Sequence, residues 1–396
     1  MKLRQLTILL AAAVAALPAC KSESDQLNEL IDKTFERAAE QSVSLAKDVL
    51  PEEGRFPRTY EDGEIRTADY HSWICGFFPG TLWELCEYYP DNEELRGYAE
   101  AFTERVAPAQ WLTDTHDLGF MVFCSAGNAY RLTGDGEYKT MVENAAHSLA
   151  TRFNPKTGVI MSWNPRGNWK YPVIIDNMMN LEMLMWAGEQ EHNDTLTSIA
   201  ISHAETTMHN HFRPDYSSYH VVSYNPETGE AEYHQTYQGY ADDSAWARGQ
   251  AWGLYGFTMM YRLTGKEEFL DQAKHIAAFI AGHPNLPEDG VPYWDFNTPD
   301  IPNAPRDASA AAVMASGFLE LSTFDKGPDA ERWKALAIRQ LRSLAGPDYL
   351  AEPGTNGGFL LKHSVGNMNK NSEVDVPLSY ADYYFLEALL RLKKVL

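Results

Sequence analysis

Two aspartates stand where carboxylates can do chemistry. Asp176 follows the apolar run Pro172-Val173-Ile174-Ile175 and opens a Met- and Leu-rich stretch, Asn177 to Leu184. Asp117, in His116-Asp117-Leu118-Gly119-Phe120, repeats the arrangement of an acid ahead of an apolar helical stretch. Such an Asp can be a plain N-cap that accepts backbone N–H bonds. Two of them at the mouths of buried helices can instead aim at one place, and paired carboxylates are the minimum set for general acid/base work on a sugar.

Other polar residues fall in comparable positions. Within Gln238 to Trp252, Arg248 enters a helix of small and apolar residues flanked by Trp246 and Trp252. A guanidinium there needs an acidic partner, either Asp242, Asp243 or Asp176, or an anion on a ligand. His220, after Tyr216-Ser217-Ser218-Tyr219, and His116 are the histidines best placed for a role. Aromatic residues crowd the loops, and Trp73, Trp163 and Trp252, nearest the polar positions, are candidates to stack on a sugar ring. The loop Leu361 to Ser372 brings Lys362 and Lys370 among hydroxyls and amides, suited to an anionic group on a ligand, such as a sulfate, unless it is simply a solvated surface loop.

The same survey excludes several classes. There is no His-x-x-x-His or His-Glu-x-x-His spacing and no Cys-x-x-Cys pair, so neither a metal nor a cofactor is expected. Gly-x-Ser-x-Gly, P-loop and dinucleotide fingerprints are likewise missing from the sequence. A formal net charge of −22 argues against nucleic acid as a partner. Cys75, Cys86 and Cys124 are expected as buried thiols.

The N-terminus reads as targeting sequence. Lys2 and Arg4 precede a short apolar run, Leu6 to Ala16, that ends at Leu17-Pro18-Ala19-Cys20. This is expected to be a lipoprotein signal over 1–19, with acylated Cys20 and a polar tether over 20–27. The single catalytic domain is then expected over 28–396, held in the bacterial periplasm or cell envelope and touching membrane only through the lipid anchor.

Apolar spacing at i, i+3 and i+4 predicts about twelve helices, starting near 24, 76, 92, 117, 136, 176, 194, 245, 267, 307, 328 and 378. The corners at Gly134 and Gly265, each inside a Tyr-Arg-Leu-Thr-Gly repeat, fit the left-handed position that ends a helix. Helices opening at 76, 117, 176, 245, 307 and 378 are rich in Gly, Ala, Met and aromatics, whereas those at 92, 136, 194, 267 and 328 carry one charged face. The expected fold is all-α, a closed (α/α)6 toroid of six helical hairpins. The loops entering its inner helices would gather His116, Asp117, Asp176, Arg248, Arg306, Asp307 and Asp382 at one rim.

The blocks Trp73 to Gly80, His116 to Phe120, Ile175 to Asn180, Ser217 to His220, Gln238 to Tyr240, Trp246 to Trp252 and Tyr380 to Tyr384 resemble, in that order, glycoside hydrolase family 88, the unsaturated glucuronyl hydrolases. The resemblance implies the same toroid and an enzyme that removes a 4,5-unsaturated uronic acid from the non-reducing end of lyase-generated oligosaccharides, protonating C4 and hydrating the enol ether. It implies Asp176 as general acid/base and Asp117 as the second essential carboxylate. His116, His220, Gln238, Arg248 and Trp252 match positions that bind the unsaturated sugar, with Trp73 and Trp163 beside them. Glycosaminoglycan fragments are the expected substrates. An unsaturated rhamnogalacturonyl hydrolase acting on pectin fragments, or a non-catalytic glycan-binding lipoprotein, are the alternatives.

Overall fold

A computed structural model describes residues 21–396. The expected signal segment 1–19 and Cys20 lie outside the described residues. Twelve helices form the body: α1 Glu23–Val49, α2 Phe77–Tyr88, α3 Glu93–Val106, α4 Asn128–Thr133, α5 Gly136–Ala150, α6 Leu181–Glu191, α7 Asp194–Asn210, α8 Ala247–Thr264, α9 Glu267–Gly282, α10 Ala308–Phe324, α11 Ala330–Leu344 and α12 Ser379–Val395. Two inner helices begin irregularly: α4 continues a π-helical stretch, Gly119–Gly127, and α6 continues a 3-10 turn, Ile175–Asn180.

The inner ring runs α2, α4 with its π-helical lead, α6, α8, α10 and α12, each packed on the next, and closes where α12 meets α2. The outer helices α3, α5, α7, α9 and α11 fold back on the inner helix that precedes each of them. The sixth outer position belongs to α1, which lies against α2 and α12. This (α/α)6 toroid follows from burial. Most of α8 and α10 is wholly enclosed, from Ala247 to Met260 and from Ala308 to Leu319, so these helices are apolar all round, whereas α11 buries a single stripe through Trp333, Leu336 and Leu341. Gly134 and Gly265 end α4 and α8 with φ of 72° and 67°.

Two features depart from the sequence expectation. Residues 20–27 are not a tether throughout, because Ser22 caps α1 in a reciprocal capping box with Asp25 and Leu27 is buried. Cys75 and Cys86 are buried, but Cys124 is only partly so. Among the described residues no helix is long and apolar enough to cross a membrane.

Small antiparallel sheets decorate the rim, and one of them positions the site. Pro172–Ile174 pairs with Val221–Tyr224, which pairs in turn with Ala231–Gln235. The register sets Ile174 opposite Val221, and Ile175 N–H donates to the His220 carbonyl at 3.1 Å. Asp176 and His220 therefore leave the sheet side by side.

Candidate active site

Asp117 and Asp176 are brought together by a close crossing of the second and third inner segments. A Cβ on Gly119 would lie 2.6 Å from Asn180 Cα, so only glycine lets the backbones approach this far. Asn180 Oδ1 then accepts the Phe120 N–H at 3.1 Å. On the other flank, a Cβ on Gly76 would sit 2.2 Å from the Phe120 and Met121 carbonyl oxygens. The π-helical stretch begins at this junction, the kind of local irregularity that recurs at functional sites.

Asp176 lies inside the 3-10 turn, whose N-cap position is held by Ile174, so the plain N-cap reading does not hold. Its side chain is 12% exposed and that of Asp117 16%, enough to be reached from the rim. Burial lifts the Asp176 carboxyl to about 7; Arg248 opposes that shift and the charge of Asp117 adds to it. Burial lifts Asp117 to about 7 as well, against a hydrogen bond from Thr115 and the nearby Arg152.

His220 Nδ1 accepts backbone N–H groups from both Tyr237 (3.0 Å) and Gln238 (3.1 Å). Burial and the cations Arg248 and Arg166 hold the ring neutral, with its pKa lowered to about 3. A neutral imidazole that accepts at Nδ1 carries its proton on Nε2, and Nε2 faces Asp176 Oδ2 at 3.7 Å. His116 is wholly buried behind Asp117, with Nε2 3.2 Å from Asp117 Oδ1, and burial keeps it neutral too. It backs the carboxylate and presents no surface to a ligand.

Arg248 finds a partner that sequence reasoning did not name. Its guanidinium pairs with Asp307 at 2.9 Å, not with Asp242, Asp243 or Asp176, and donates to the Val365 and Gly366 carbonyls at 2.5 and 2.8 Å. The reason is ring geometry: α8 and α10 are neighbours whose N-termini share the rim, and Asp307 is the N-cap of α10. The Asp242 carboxylate is taken up by the Thr236 N–H. Arg306 and Asp382 also prove structural, Arg306 bonding Asp289 and the Val291 carbonyl while Asp382 accepts the Leu360 and Leu361 N–H groups.

The aromatic candidates separate. Trp252 is fully buried, with Phe120 and Tyr384 packed around it, so it cannot offer a ring face to a sugar. Its indole N–H instead faces Asp176. Trp73 is half-buried and packs on Phe77, Phe120 and Tyr380. Trp163, with Trp169 and Tyr237, forms a box beside His220 that holds the Arg166 guanidinium at 4.1 Å from the Trp163 ring. Gln238 Nε2 donates to the Gly366 carbonyl, and Lys370 Nζ lies 5.5 Å over Tyr237. Lys362 does not join them, because it turns away to the Pro347 carbonyl. Arg166 and Arg152 are the site residues that sequence reasoning missed, and for Asp307, placed at the rim by the sequence, the pairing with Arg248 was not foreseen.

Asp176 Oδ2, His220 Nε2 and Trp252 Nε1 are buried, and among the described residues none has a hydrogen-bond partner. Convergent unsatisfied polar atoms suit a polar ligand rather than a structural core. Among the described residues no group of three or more His, Cys, Asp or Glu is arranged to hold a metal.

Comparison with known proteins bears on this geometry. Residues 51–282 match the model of Glycosyl Hydrolase Family 88. The chain belongs to glycoside hydrolase family 88. It is 43% identical over 340 residues to an unsaturated glucuronyl hydrolase of Formosa agariphila, covering 85% of this chain and 84% of that one. It is 33% identical over 377 residues to an unsaturated chondroitin disaccharide hydrolase of Streptococcus pneumoniae, covering 93% and 92%. Among solved structures, an unsaturated glucuronyl hydrolase specific for heparin superposes with a TM-score of 0.90 at 48% identity, over 93% of this chain and 98% of that one. A Streptococcus agalactiae family member, a mutant complexed with dGlcA-GalNAc6S, superposes with a TM-score of 0.77 at 29% identity, over 92% of each chain. The protein is thus a glycoside hydrolase with the toroid of its family.

The raised carboxyls carry a stability cost with a definite sign. Asp117, Asp176 and Asp382 move from an ordinary 3.8 to about 7 in the folded chain. Between those values the folded state binds protons that the unfolded state has released, so stability falls as pH rises through the window. Thermal unfolding at pH 8 is expected several degrees below that at pH 5. Asp176→Asn is expected to raise the unfolding temperature at pH 8 and to flatten the pH dependence; an unchanged or lower temperature for the variant at pH 8 would contradict the burial argument.

Proposed function

We propose that the protein removes the 4,5-unsaturated uronic acid from the non-reducing end of lyase-generated glycosaminoglycan oligosaccharides, with Asp176 as general acid and base. What carries the reading is the convergence at one carboxyl of a raised pKa and three unsatisfied polar atoms. The substrate has an enol ether, C4=C5–O5. Protonated Asp176 delivers its proton to C4, leaving an oxocarbenium centre shared by C5 and O5. Water adds to C5 and returns a proton to Asp176. The hemiketal then opens at C5–O5, and C1, left as a hemiacetal, expels the aglycone as an alcohol. Separation of the carboxyls says nothing about retention or inversion here, because the anomeric carbon is not attacked.

In this reading Asp117 supports the protonated state of Asp176 through its charge and orients the water, while His220 Nε2–H and the Trp252 N–H face Asp176 and hold its carboxyl in position. Arg248 lends positive charge near the uronate carboxylate. Loss of the ultraviolet absorbance of the conjugated double bond tests the function directly on heparin, chondroitin, hyaluronan and pectin fragments. Decay on glycosaminoglycan disaccharides, led by the heparin fragment in keeping with the heparin-specific structural relative, is the expected result. Decay confined to the pectin fragment would overturn the substrate class, and binding without decay would overturn catalysis.

Arg166 in its aromatic box and Lys370 beside it supply a cationic lip for a sulfate on the leaving sugar. The double variant Arg166→Ala with Lys370→Ala is expected to lower kcat/KM for sulfated disaccharides about tenfold more than for unsulfated ones, one charge-assisted contact's worth. Equal losses on both would remove the assignment. We also propose, on the sequence of residues 1–20 alone, anchoring through acylated Cys20 in the cell envelope. Retention of a Cys20→Ala protein in washed membranes would refute it.

A further inference from the structure

A second cavity, of about 680 Å3, opens at the end of the toroid opposite the catalytic rim. Its lining includes the last turns of α2, α4, α8, α10 and α12, whose dipoles present their negative ends there, together with Gly119, Met179 and Glu182 from the second and third inner segments. Its wall includes an aromatic cluster in which Trp186 packs on Tyr130 at 5.5 Å and on Phe123 at 6.0 Å. Tyr384, in the lining, packs on Trp252 at 5.5 Å.

With all of its acids ionised, the cavity would carry one negative charge more than its cations offset. Arg262 bridges Glu182 and Glu320, Arg391 bridges Glu320 and Glu387, and Arg131 and Lys394 share Glu87. That engages every Lys and Arg of the lining. Glu84 is left over. It is 3% exposed, and among the described residues it has neither a hydrogen bond nor an ion pair. A buried carboxyl without a partner is held against a substantial free-energy penalty.

We propose that this cavity binds an organic ammonium ion, with the charge on Glu84 and the carbon skeleton against the Trp186 cluster. A divalent metal does not suit it, since calcium and magnesium need about six oxygen ligands and Glu84 offers the one uncommitted carboxylate. Aromatic walls, by contrast, stabilise ammonium ions through their ring faces. Burial, with Glu387 nearby, lifts Glu84 to about 8. At pH 7 the side chain is therefore mostly protonated before binding and must release its proton to accept a cation.

Isothermal titration at pH 7 with benzylammonium as the probe and benzyl alcohol as its neutral counterpart tests the assignment. Benzylammonium is expected to bind at least about tenfold more tightly, a difference of ~1.4 kcal/mol. Its heat should vary with the ionisation enthalpy of the buffer, reporting release of nearly one proton per ion, and Trp186 fluorescence should change. Glu84→Gln, which resembles the protonated side chain, is expected to unfold no lower than the wild type and to keep disaccharide turnover while losing both the preference for the cation and the proton release. Equal affinity for the two probes, or undiminished benzylammonium binding by Glu84→Gln, would overturn the proposal. A fluorescence change that survives Trp186→Phe would place binding elsewhere and overturn it equally.

Discussion

Asp176→Asn is expected to lower kcat for hydration of the unsaturated disaccharide by about 10³-fold or more, while changing the dissociation constant of the disaccharide only a few-fold. A positioned acid contributes about 10²–10⁴ in rate, and delivery to carbon leaves no easier route. The amide matches the carboxyl in size and can still meet His220 Nε2–H and the Trp252 N–H, so binding survives where proton donation does not. In the wild type the acid must be protonated, so kcat/KM is expected to fall as pH rises past about 7, where Asp176 ionises. That limb should be missing from the residual activity of the variant. Progress curves from absorbance decay across pH 5 to 9 supply both readings. A variant retaining a tenth of the wild-type rate would remove Asp176 from the role of acid.

The second large effect is structural and sits next to the first. Asp307→Ala is expected to cost about 3–5 kcal/mol of stability, because it strands the Arg248 guanidinium, 1% exposed, without its counter-charge. A further ~1 kcal/mol goes with the cap, since Asp307 Oδ1 accepts from Ser309 and Ala310 at the start of α10. Asp307→Asn keeps an acceptor for the cap and loses only the charge, which separates the two contributions. Pairing Asp307→Asn with Arg248→Met should recover part of the loss, as expected when an isolated buried charge and not a missing contact is the cause. Urea midpoints for the two single variants and the double variant decide it; a loss under ~1 kcal/mol for Asp307→Ala would show that the pair contributes little. With Asp307 neutral, the uncompensated Arg248 also pulls the Asp176 proton off more readily, so the basic limb of the activity profile should move to lower pH.

Much of this was legible in the chain. The starts of ten of the twelve helices follow from apolar spacing, and the other two expected starts fall on the π-helical and 3-10 leads of α4 and α6, because a ring with a buried inner layer and a half-solvated outer one forces two different patterns on alternate helices. Asp117 and Asp176 were visible for the same reason, as acids at the mouths of apolar segments. Their meeting was not fully legible. It depends on Gly119 crossing Asn180 and on a strand register that sets Ile174 opposite Val221, and the segments that pair there are three and four residues long. The partner of Arg248 was misjudged because the nearest acids in sequence, Asp242 and Asp243, belong to a loop, whereas Asp307 is adjacent only once the ring closes. Trp252 was misjudged because a tryptophan near polar residues reads the same whether it offers its face or its edge. Arg166 gave no signal, since its box of Trp163, Trp169 and Tyr237 is assembled from two separate loops.

The seam of the toroid has a kinetic meaning. Helix α12 sits between α10 and α2 on the inner ring, far from α2 in sequence, with α1 behind it. Until residues 379–395 emerge and dock, α2 and α10 each keep an apolar flank open, and the ring stays a crescent. Contacts between segments far apart in sequence are slow to form, and exposed apolar flanks invite association with other copies in the meantime. The ring therefore cannot close until residues 379–395 are available to dock. A chain that stops short of α12 should accumulate as an open, self-associating crescent and not as a smaller working enzyme.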